Sequence, residues 1–322
     1  MMDTAIEEAI AMKILVTGGA GFIGSHLVRL LLEQGHAVTV LDDLSTGAKA
    51  HIEGLPIGLW RADIREKAVT ARIAAARFDA VVHLAAQTMV DASLRDPHFD
   101  AEENVIGLVN VLEGARLGGT RRVVFASTAA VYGDVSARDL PVREEQALAP
   151  LSFYGMTKVA GEQYLALYKK IFGLDYVVLR FANVYGERQG DRGEGGVISI
   201  FAKRVARGAG ITIFGDGGQT RDFIYAGDIA SGIACALRTK HACRAYNLGT
   251  QTELSLNELV RVLGKAAGKA LAPAYAAPRE GDIYRSALSN AAARRNLGWT
   301  PKVTLEEGLR RTYAYVKETA AQ

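Results

Sequence analysis

The chain is 322 residues long, 49% hydrophobic and 23% charged, with a net charge of +3. That length buries a large core and suits two lobes, while near-balanced charge with no basic run or aromatic-interleaved patch excludes an ordinary nucleic-acid-binding surface. Two cysteines, six scattered histidines and no apolar run near the ~18 residues of a membrane span exclude a disulfide framework, a metal centre and a transmembrane protein.

Residues 1–11 hold Asp3, Glu7 and Glu8 without a basic start, so they read as a leader or short helix, not a secretory signal, with Met12 as an alternative start. Cys235 and Cys243 suit a reducing cytoplasm, the expected location. From Lys13 the apolar run Ile14-Leu15-Val16 reads as a buried parallel strand over 13–17. Glycines follow, and then an amphipathic helix over 23–34. Their string reads either as Gly19-x-Gly21-x-x-Gly24 or as Gly18-x-x-Gly21-x-x-Gly24. Gly18 and Gly21 let the backbone turn tightly beside a pyrophosphate, and Gly24 lets the helix approach the strand. Free N–H groups at the helix start attract the phosphates. A strand before and a helix after are the context a dinucleotide fingerprint requires.

A second strand over 37–41 ends at Asp42, 18 residues beyond Gly24. A carboxylate there accepts hydrogen bonds from the adenosine ribose and repels a 2′-phosphate, which predicts NAD over NADP. The third strand, over 57–61, leads to Asp63, placed either to meet the adenine amino group or to brace its own loop. A helix over 66–76 and a strand over 79–83 follow. That strand ends in His83-Leu-Ala-Ala-Gln87, small residues suited to backbone passing close to a ligand, with His83 read as a satisfied structural histidine.

Next come a helix over 99–117, a strand over 121–126 ending in Ser127-Thr128, a helix over 153–172 and a strand over 175–180. Tyr154 and Lys158 are four residues apart on that helix, so the phenol and the ammonium share a face. A free tyrosine has a pKa of about 10, and bringing it near neutrality takes ~3 units, or ~4 kcal/mol, of phenolate stabilisation. A neighbouring ammonium and an oxidised nicotinamide ring could supply it. Thr128 would exchange a hydrogen bond with a substrate hydroxyl beside the phenolate. Each residue alone has a plainer explanation, as a strand-end cap or a buried helix aromatic. Together with the glycine fingerprint they become specific.

Strands alternating with helices predict an α/β fold, a Rossmann-type doubly wound parallel sheet. After residue 181 shorter elements lie between glycine-rich loops at 190–196 and 215–218. Helices near 197–207, 228–238, 255–266 and 304–318 suggest a smaller mixed α/β lobe. The expected organisation is a leader at 1–11 and an NAD-binding domain at 12–181, with a return segment at 228–250. Residues 182–227 and 251–322 make the second lobe.

With these residues assembled, the chain resembles the extended short-chain dehydrogenase/reductase family, and within it the UDP-glucose 4-epimerase group, from Lys13 to about Val316. The shared motifs are Thr17-Gly-Gly-Ala-Gly-Phe-Ile-Gly24, Asp42-Asp-Leu-Ser-Thr-Gly47, His83-Leu-Ala-Ala86, Asn104-Val-Ile-Gly107, Ser127-Thr-Ala-Ala-Val-Tyr-Gly133 and Tyr154-x-x-x-Lys158. Leu179-Arg-Phe-Ala-Asn-Val-Tyr-Gly186, Gln219-Thr-Arg-Asp-Phe-Ile224 and Pro278-Arg-Glu-Gly-Asp282 follow.

The resemblance implies cofactor contacts from Gly18, Gly21, Phe22, Ile23, Gly24, Asp42, Asp43, Ser45, Thr46, Gly47, Asp63, Ile64, Leu84, Ala85, Ala86, Asn104, Tyr154 and Lys158. It implies a UDP-sugar substrate held by Thr128, Tyr154, Asn183, Val197, Arg221, Arg279, Asp282 and Ser286. Among these, Asn183 and Arg221 would contact the phosphates, with Arg279 beside them and Asp282 near the ribose, and an arginine fork suits a diphosphate. The implied reaction is 4-epimerisation through a transient 4-keto sugar. Tyr154 would move the proton, Thr128 would orient the hydroxyl, and Lys158 would bond the nicotinamide ribose and lower the tyrosine pKa. No metal is implied. A homodimer is, through the helices near 99–117 and 153–172.

Within the family, dehydratases carry Asp-Glu directly after the serine or threonine, and decarboxylases a glutamate in that segment. Here Ala129 and Ala130 stand instead, which counts against both, and Asp42 counts against an NADP-using reductase. Ser286 is small where glucose/galactose enzymes carry a tyrosine, so an N-acetylhexosamine is a candidate substrate. Ala182 replaces a common aromatic and Glu187 a common proline, leaving pocket size open. A UDP-glucuronate 4-epimerase, with Arg192 serving the carboxylate, is the alternative. A non-catalytic NAD-binding regulator is the rival from another class.

Overall fold

The structure, a computed structural model, describes residues 11–190, 195–278 and 283–320. Its strands are β1 (Lys13–Thr17), β2 (Ala37–Asp42), β3 (Gly58–Arg61), β4 (Ala80–His83), β5 (Arg122–Thr128), β6 (Asp175–Phe181), β7 (Asn183–Tyr185), β8 (Thr212–Phe214), β9 (Thr220–Arg221), β10 (Phe223–Tyr225), β11 (Arg244–Leu248), β12 (Leu254–Ser255) and β13 (Ala274–Ala276). Its helices are α1 (Phe22–Glu33), α2 (Lys67–Ala76), α3 (Val90–Arg95), α4 (Pro97–Ala101), α5 (Gly107–Leu117), α6 (Phe153–Phe172), α7 (Val197–Ala206), α8 (Ala226–Arg238), α9 (Leu256–Ala267), α10 (Ala291–Leu297) and α11 (Leu305–Ala320).

β1 to β6 and β11 form one parallel sheet in the order β11-β6-β5-β4-β1-β2-β3. Alternation along each strand divides its apolar residues between two faces. Ile14 and Val16 join Leu27 and Leu31 of α1 and Ile233 and Leu237 of α8 in one core. Leu15 between them joins Ile73 of α2, Leu112 of α5 and Leu165 of α6 in another. A sheet covered on both sides needs strands that are apolar throughout, and β4 is buried along its whole length. From β1 the chain moves out to β2 and β3, then crosses back to β4 on β1's other side. That reversal opens a crevice above the C-terminal ends of β1 and β4, where doubly wound sheets hold ligands.

Two features depart from the sequence expectation. The helix expected over 99–117 is broken. Asp96 accepts a hydrogen bond from the Phe99 N–H (3.0 Å) and Pro97 opens α4, then Glu102–Ile106 form a wide π turn before α5. The extra residue in that turn escapes a reading based on 3.6-residue periodicity. The short helix α3 just before it is a further addition. After β6 the chain leaves the sheet and then returns to it. α8 packs on α1, and β11 pairs with β6, Tyr246 opposite Leu179. Most of the remaining elements surround a separate core of Tyr185, Phe201, Ile213, Leu259, Leu263 and Leu309.

Candidate active site

A cleft of about 470 Å³ lies in the crevice, between the ends of the strands and the segment after β6. Its floor is the loop joining β1 to α1. Gly18 has φ +69°, and a Cβ there would meet the Ala85 N atom at 2.7 Å. A Cβ on Gly24 would lie 2.1 Å from the Gly18 carbonyl oxygen, so only glycine lets α1 start this close to β1. α1 has no side-chain cap and no acidic residue in its first turn. Its first N–H groups are therefore available to an anion, as a dinucleotide pyrophosphate requires.

Asp42 is buried at the end of β2. Its Oδ2 accepts from the Ala20 N–H and its Oδ1 from the Leu44 N–H, both at 2.9 Å. Burial raises its pKa, and the two backbone bonds oppose that. Each oxygen keeps a lone pair for a ribose hydroxyl. Asp43, Asp63 and Glu103 stand on the same wall. Arg65 clasps Asp63 at 2.5–3.1 Å and Glu103 at 3.1 Å, and the Asp63 bond holds that carboxyl below its ordinary range. Four carboxylates against one guanidinium leave this end of the cleft negative, which disfavours a second phosphate on the ribose.

The opposite wall depends on a pair the sequence reading did not connect. Thr17 Oγ1 lies 2.9 Å from His83 Nδ1 and accepts from the Leu84 and Ala85 N–H groups, both at 3.2 Å. His83 is buried, stacked on Phe125 and held neutral by desolvation, its pKa lowered to about 3. The pair fixes Leu84, Ala85 and Ala86 against the cleft.

α6 begins with Ser152 Oγ accepting from the Gly155 N–H at 3.1 Å, and Tyr154 lies in its first turn. Lys158, one turn on, is buried, with Nζ 5.9 Å from the Tyr154 ring centroid and 5.0 Å from that of Phe125. Desolvation lowers its pKa to about 8, with the charge of Asp100 working against the shift. No described residue accepts a hydrogen bond from its ammonium, which lines the cleft. Thr128, at the end of β5, accepts from the Ala130 N–H at 3.2 Å and keeps its own proton to donate. Ser127 beside it is committed elsewhere: its hydroxyl donates to Glu162 Oε1 at 2.6 Å. Glu162 in turn forms a buried two-bond pair with Arg180 at 2.6 and 3.0 Å, and Arg180 donates to the Tyr132 hydroxyl at 2.8 Å.

The cleft thus brings together Gly18, Gly21, Phe22, Ile23, Gly24, Asp42, Asp43, Ser45, Thr46, Asp63, Ile64, Leu84, Ala85 and Ala86 with Thr128, Tyr154, Lys158 and Asn183. Five expected residues, Gly47, Asn104, Val197, Arg221 and Ser286, fall behind or beyond its wall. Gly47 packs under Asp42, where a Cβ would stand 2.9 Å from Oδ1. Asn104 is buried, its amide bonded to the Gln87 backbone at 2.9 and 3.0 Å. Val197 opens α7, and Arg221 donates to the Thr220 carbonyl at 2.8 Å. Ser286 also does not line the cleft, and Arg279, Asp282 and Arg192 lie outside the described residues. Thr88, Met89, Gln189 and Gly196 line it without having been expected. Among the described residues no group of three or more His, Cys, Asp or Glu could hold a metal, and no helix is long and apolar enough to cross a membrane.

The profile of the NAD dependent epimerase/dehydratase family matches residues 14–249. The UDP-glucose 4-epimerase of Mycolicibacterium smegmatis is 40% identical over 311 residues, 95% of this chain and 99% of its own. Among solved structures, the UDP-glucose 4-epimerase of Thermotoga maritima, crystallised with UDP-glucose, superposes with a TM-score of 0.92 at 40% identity, covering 96% of this chain and all of its own. That of Thermus thermophilus, in complex with NAD, gives 0.88 at 41% identity, covering 95% and 99%.

Proposed function

The chain belongs to the NAD dependent epimerase/dehydratase family, and from that premise we propose that it interconverts the C4 epimers of a UDP-hexose. The observation that carries this reading is that Thr128, Tyr154 and Lys158 line one cleft, with Ala129 and Ala130 directly after Thr128. Two alanines cannot move the protons that elimination of water would require. What remains is acid–base work at a single hydroxyl.

Bound NAD would supply reversible hydride uptake at the sugar carbon. Gly18, Gly21 and the first turn of α1 would hold its pyrophosphate, and Asp42 its adenosine ribose. Tyr154, as phenolate, takes the proton from the sugar 4-hydroxyl and later returns it. Thr128 donates to the same oxygen and keeps it in line with the phenolate. Lys158 contributes positive charge beside Tyr154, and its ammonium offers donors to the nicotinamide ribose. Its pKa of about 8 leaves most of it charged at neutral pH. Asn183 and Arg221, with Arg279 and Asp282, are assigned to the uridine diphosphate, and Val197 and Ser286 to the rest of the substrate pocket.

The test is incubation of the purified protein with UDP-galactose, no NAD added, followed through the anomeric proton signals by NMR. Appearance of UDP-glucose, lost in Tyr154→Phe, is the expected outcome. UDP-N-acetylgalactosamine and UDP-galacturonate in parallel rank the sugars. No product from any of the three would sink the reading.

A further inference from the structure

Asp100 in α4 is fully buried, yet among the described residues it belongs to no ion pair. Its Oδ1 accepts from Gln87 Nε2 at 2.6 Å and Asn104 Nδ2 at 3.1 Å, and its Oδ2 from Thr157 Oγ1 at 3.1 Å. All three donors are neutral. An ionised carboxylate in such a place is costly unless an opposite charge lies near. The residue after Thr157 is Lys158, whose buried ammonium likewise has no ion-pair partner within 4 Å among the described residues. The groups facing Lys158 are few. α4 brings Asp100, β4 brings the neutral His83, β5 brings the ring of Phe125, and α6 itself brings Tyr154. Among the described residues Asp100 is the one carboxylate that acts on it.

We propose that Asp100 is a positioning residue for the reaction: its buried charge, fixed by Gln87, Asn104 and Thr157, keeps the Lys158 ammonium protonated beside Tyr154. The proposal rests on the reading of Lys158 as the charge that supports the phenolate. It also gives the π turn a purpose. The turn carries Asn104 to the point where one amide holds both the Gln87 backbone, next to the cleft, and the Asp100 carboxylate. Desolvation pulls the Lys158 pKa down and Asp100 raises it, the direction the geometry requires.

Asp100→Asn separates charge from structure. The asparagine oxygen still accepts from Gln87 and Asn104. Its NH₂ donates to Thr157 Oγ1, whose hydroxyl turns to the Tyr154 carbonyl 2.9 Å away. Every bond survives and only the charge is lost.

The experiment is an NMR pH titration of ¹³C-lysine-labelled protein, purified with its cofactor, with the Lys158 signal assigned by Lys158→Met. In the parent the midpoint is expected near 8. In Asp100→Asn it should fall by about one pH unit, a tenfold loss of proton affinity, and the alkaline limb of kcat/KM should move with it. An unchanged midpoint in folded, cofactor-loaded Asp100→Asn overturns the proposal. If that variant does not fold, adding Lys158→Met should restore folding by removing the stranded cation, and failure to do so counts against the proposal. The lysine midpoint needs no turnover, so its outcome is separate from the epimerase reading, which fails if Tyr154→Phe keeps its activity.

Discussion

Lys158 links pH to both stability and activity, with opposite signs. Its folded pKa of about 8 lies below the ordinary 10.5 because burial disfavours the charged form. Between those two values the unfolded chain holds the proton and the folded chain does not, so this group's contribution to stability rises with pH across that window. Catalysis needs the ammonium, so activity should fall over the same range. We expect kcat/KM to drop about tenfold per pH unit above about 8, with no loss of melting temperature from this group. pH–rate profiles with thermal melts in the same buffers check both. Ser127 and Thr128, neighbours on one strand, should separate as cleanly. Thr128 presents its proton to the cleft, so Thr128→Val should lower kcat by about 10²-fold or more, with a stability loss of only about 0.5–2 kcal/mol for the acceptor withdrawn from the Ala130 N–H. Ser127 spends its proton on Glu162, so Ser127→Ala should cost about 1–3 kcal/mol of unfolding free energy and little activity. Turnover and urea unfolding of the two variants decide it.

α6 carries Tyr154 and Lys158, and its register against the sheet decides where they point. Gly161 brings the helix down onto β5, where a Cβ would meet the Phe125 ring at 2.7 Å. One residue later Glu162 fastens it to Arg180 of β6 and Ser127 of β5. Both charges are buried, so removing one strands the other. Glu162→Leu alone should cost about 3–5 kcal/mol, and Glu162→Leu with Arg180→Met should recover most of that, because the pair repays its own desolvation poorly. Urea denaturation of the four members of the cycle measures the coupling. This tie also marks the limit of what the sequence discloses. The glycine loop, Asp42 and Tyr154-x-x-x-Lys158 are legible because each works through local spacing on one element. Glu162–Arg180, Thr17–His83 and Asp100–Asn104–Gln87 join residues brought together only by the fold, or by a π turn that periodicity does not register. A readable trace exists in one case: Arg180 stands alone in the apolar run Tyr176–Phe181, and a buried charge in such a strand calls for a partner.

For the molecule as a whole, we propose the division foreseen in the sequence, an NAD-binding unit at 12–181 rejoined by 228–250 and a nucleotide-sugar lobe from the rest, and assembly as a homodimer. The second proposal rests on α6. Its buried arc holds Thr157, Lys158, Glu162, Leu165 and Tyr168, with Tyr154 half-buried beside them, while Phe153, Met156, Tyr164, Leu167 and Ile171 are exposed. At 100° per residue those five fall within roughly 80° of arc, one continuous apolar stripe rather than scattered side chains. Phe99 and Ile106, on the neighbouring α4 and π turn, are exposed as well. A two-fold axis against this face would pair α6 and α5 with their symmetry mates as four helices, and each side chain would count twice. Burying a leucine or isoleucine is worth about 1.5–3 kcal/mol. Leu167→Glu with Ile171→Glu should therefore turn a dimer into a monomer at micromolar concentration, read by light scattering after gel filtration. A parent chain that is monomeric at the same concentration would refute the assembly. Because the stripe and the Tyr154–Lys158 face share one helix, loss of the dimer also removes the backing of the catalytic face. The monomeric variant should keep its fold by circular dichroism and lose turnover in proportion to how far α6 loosens.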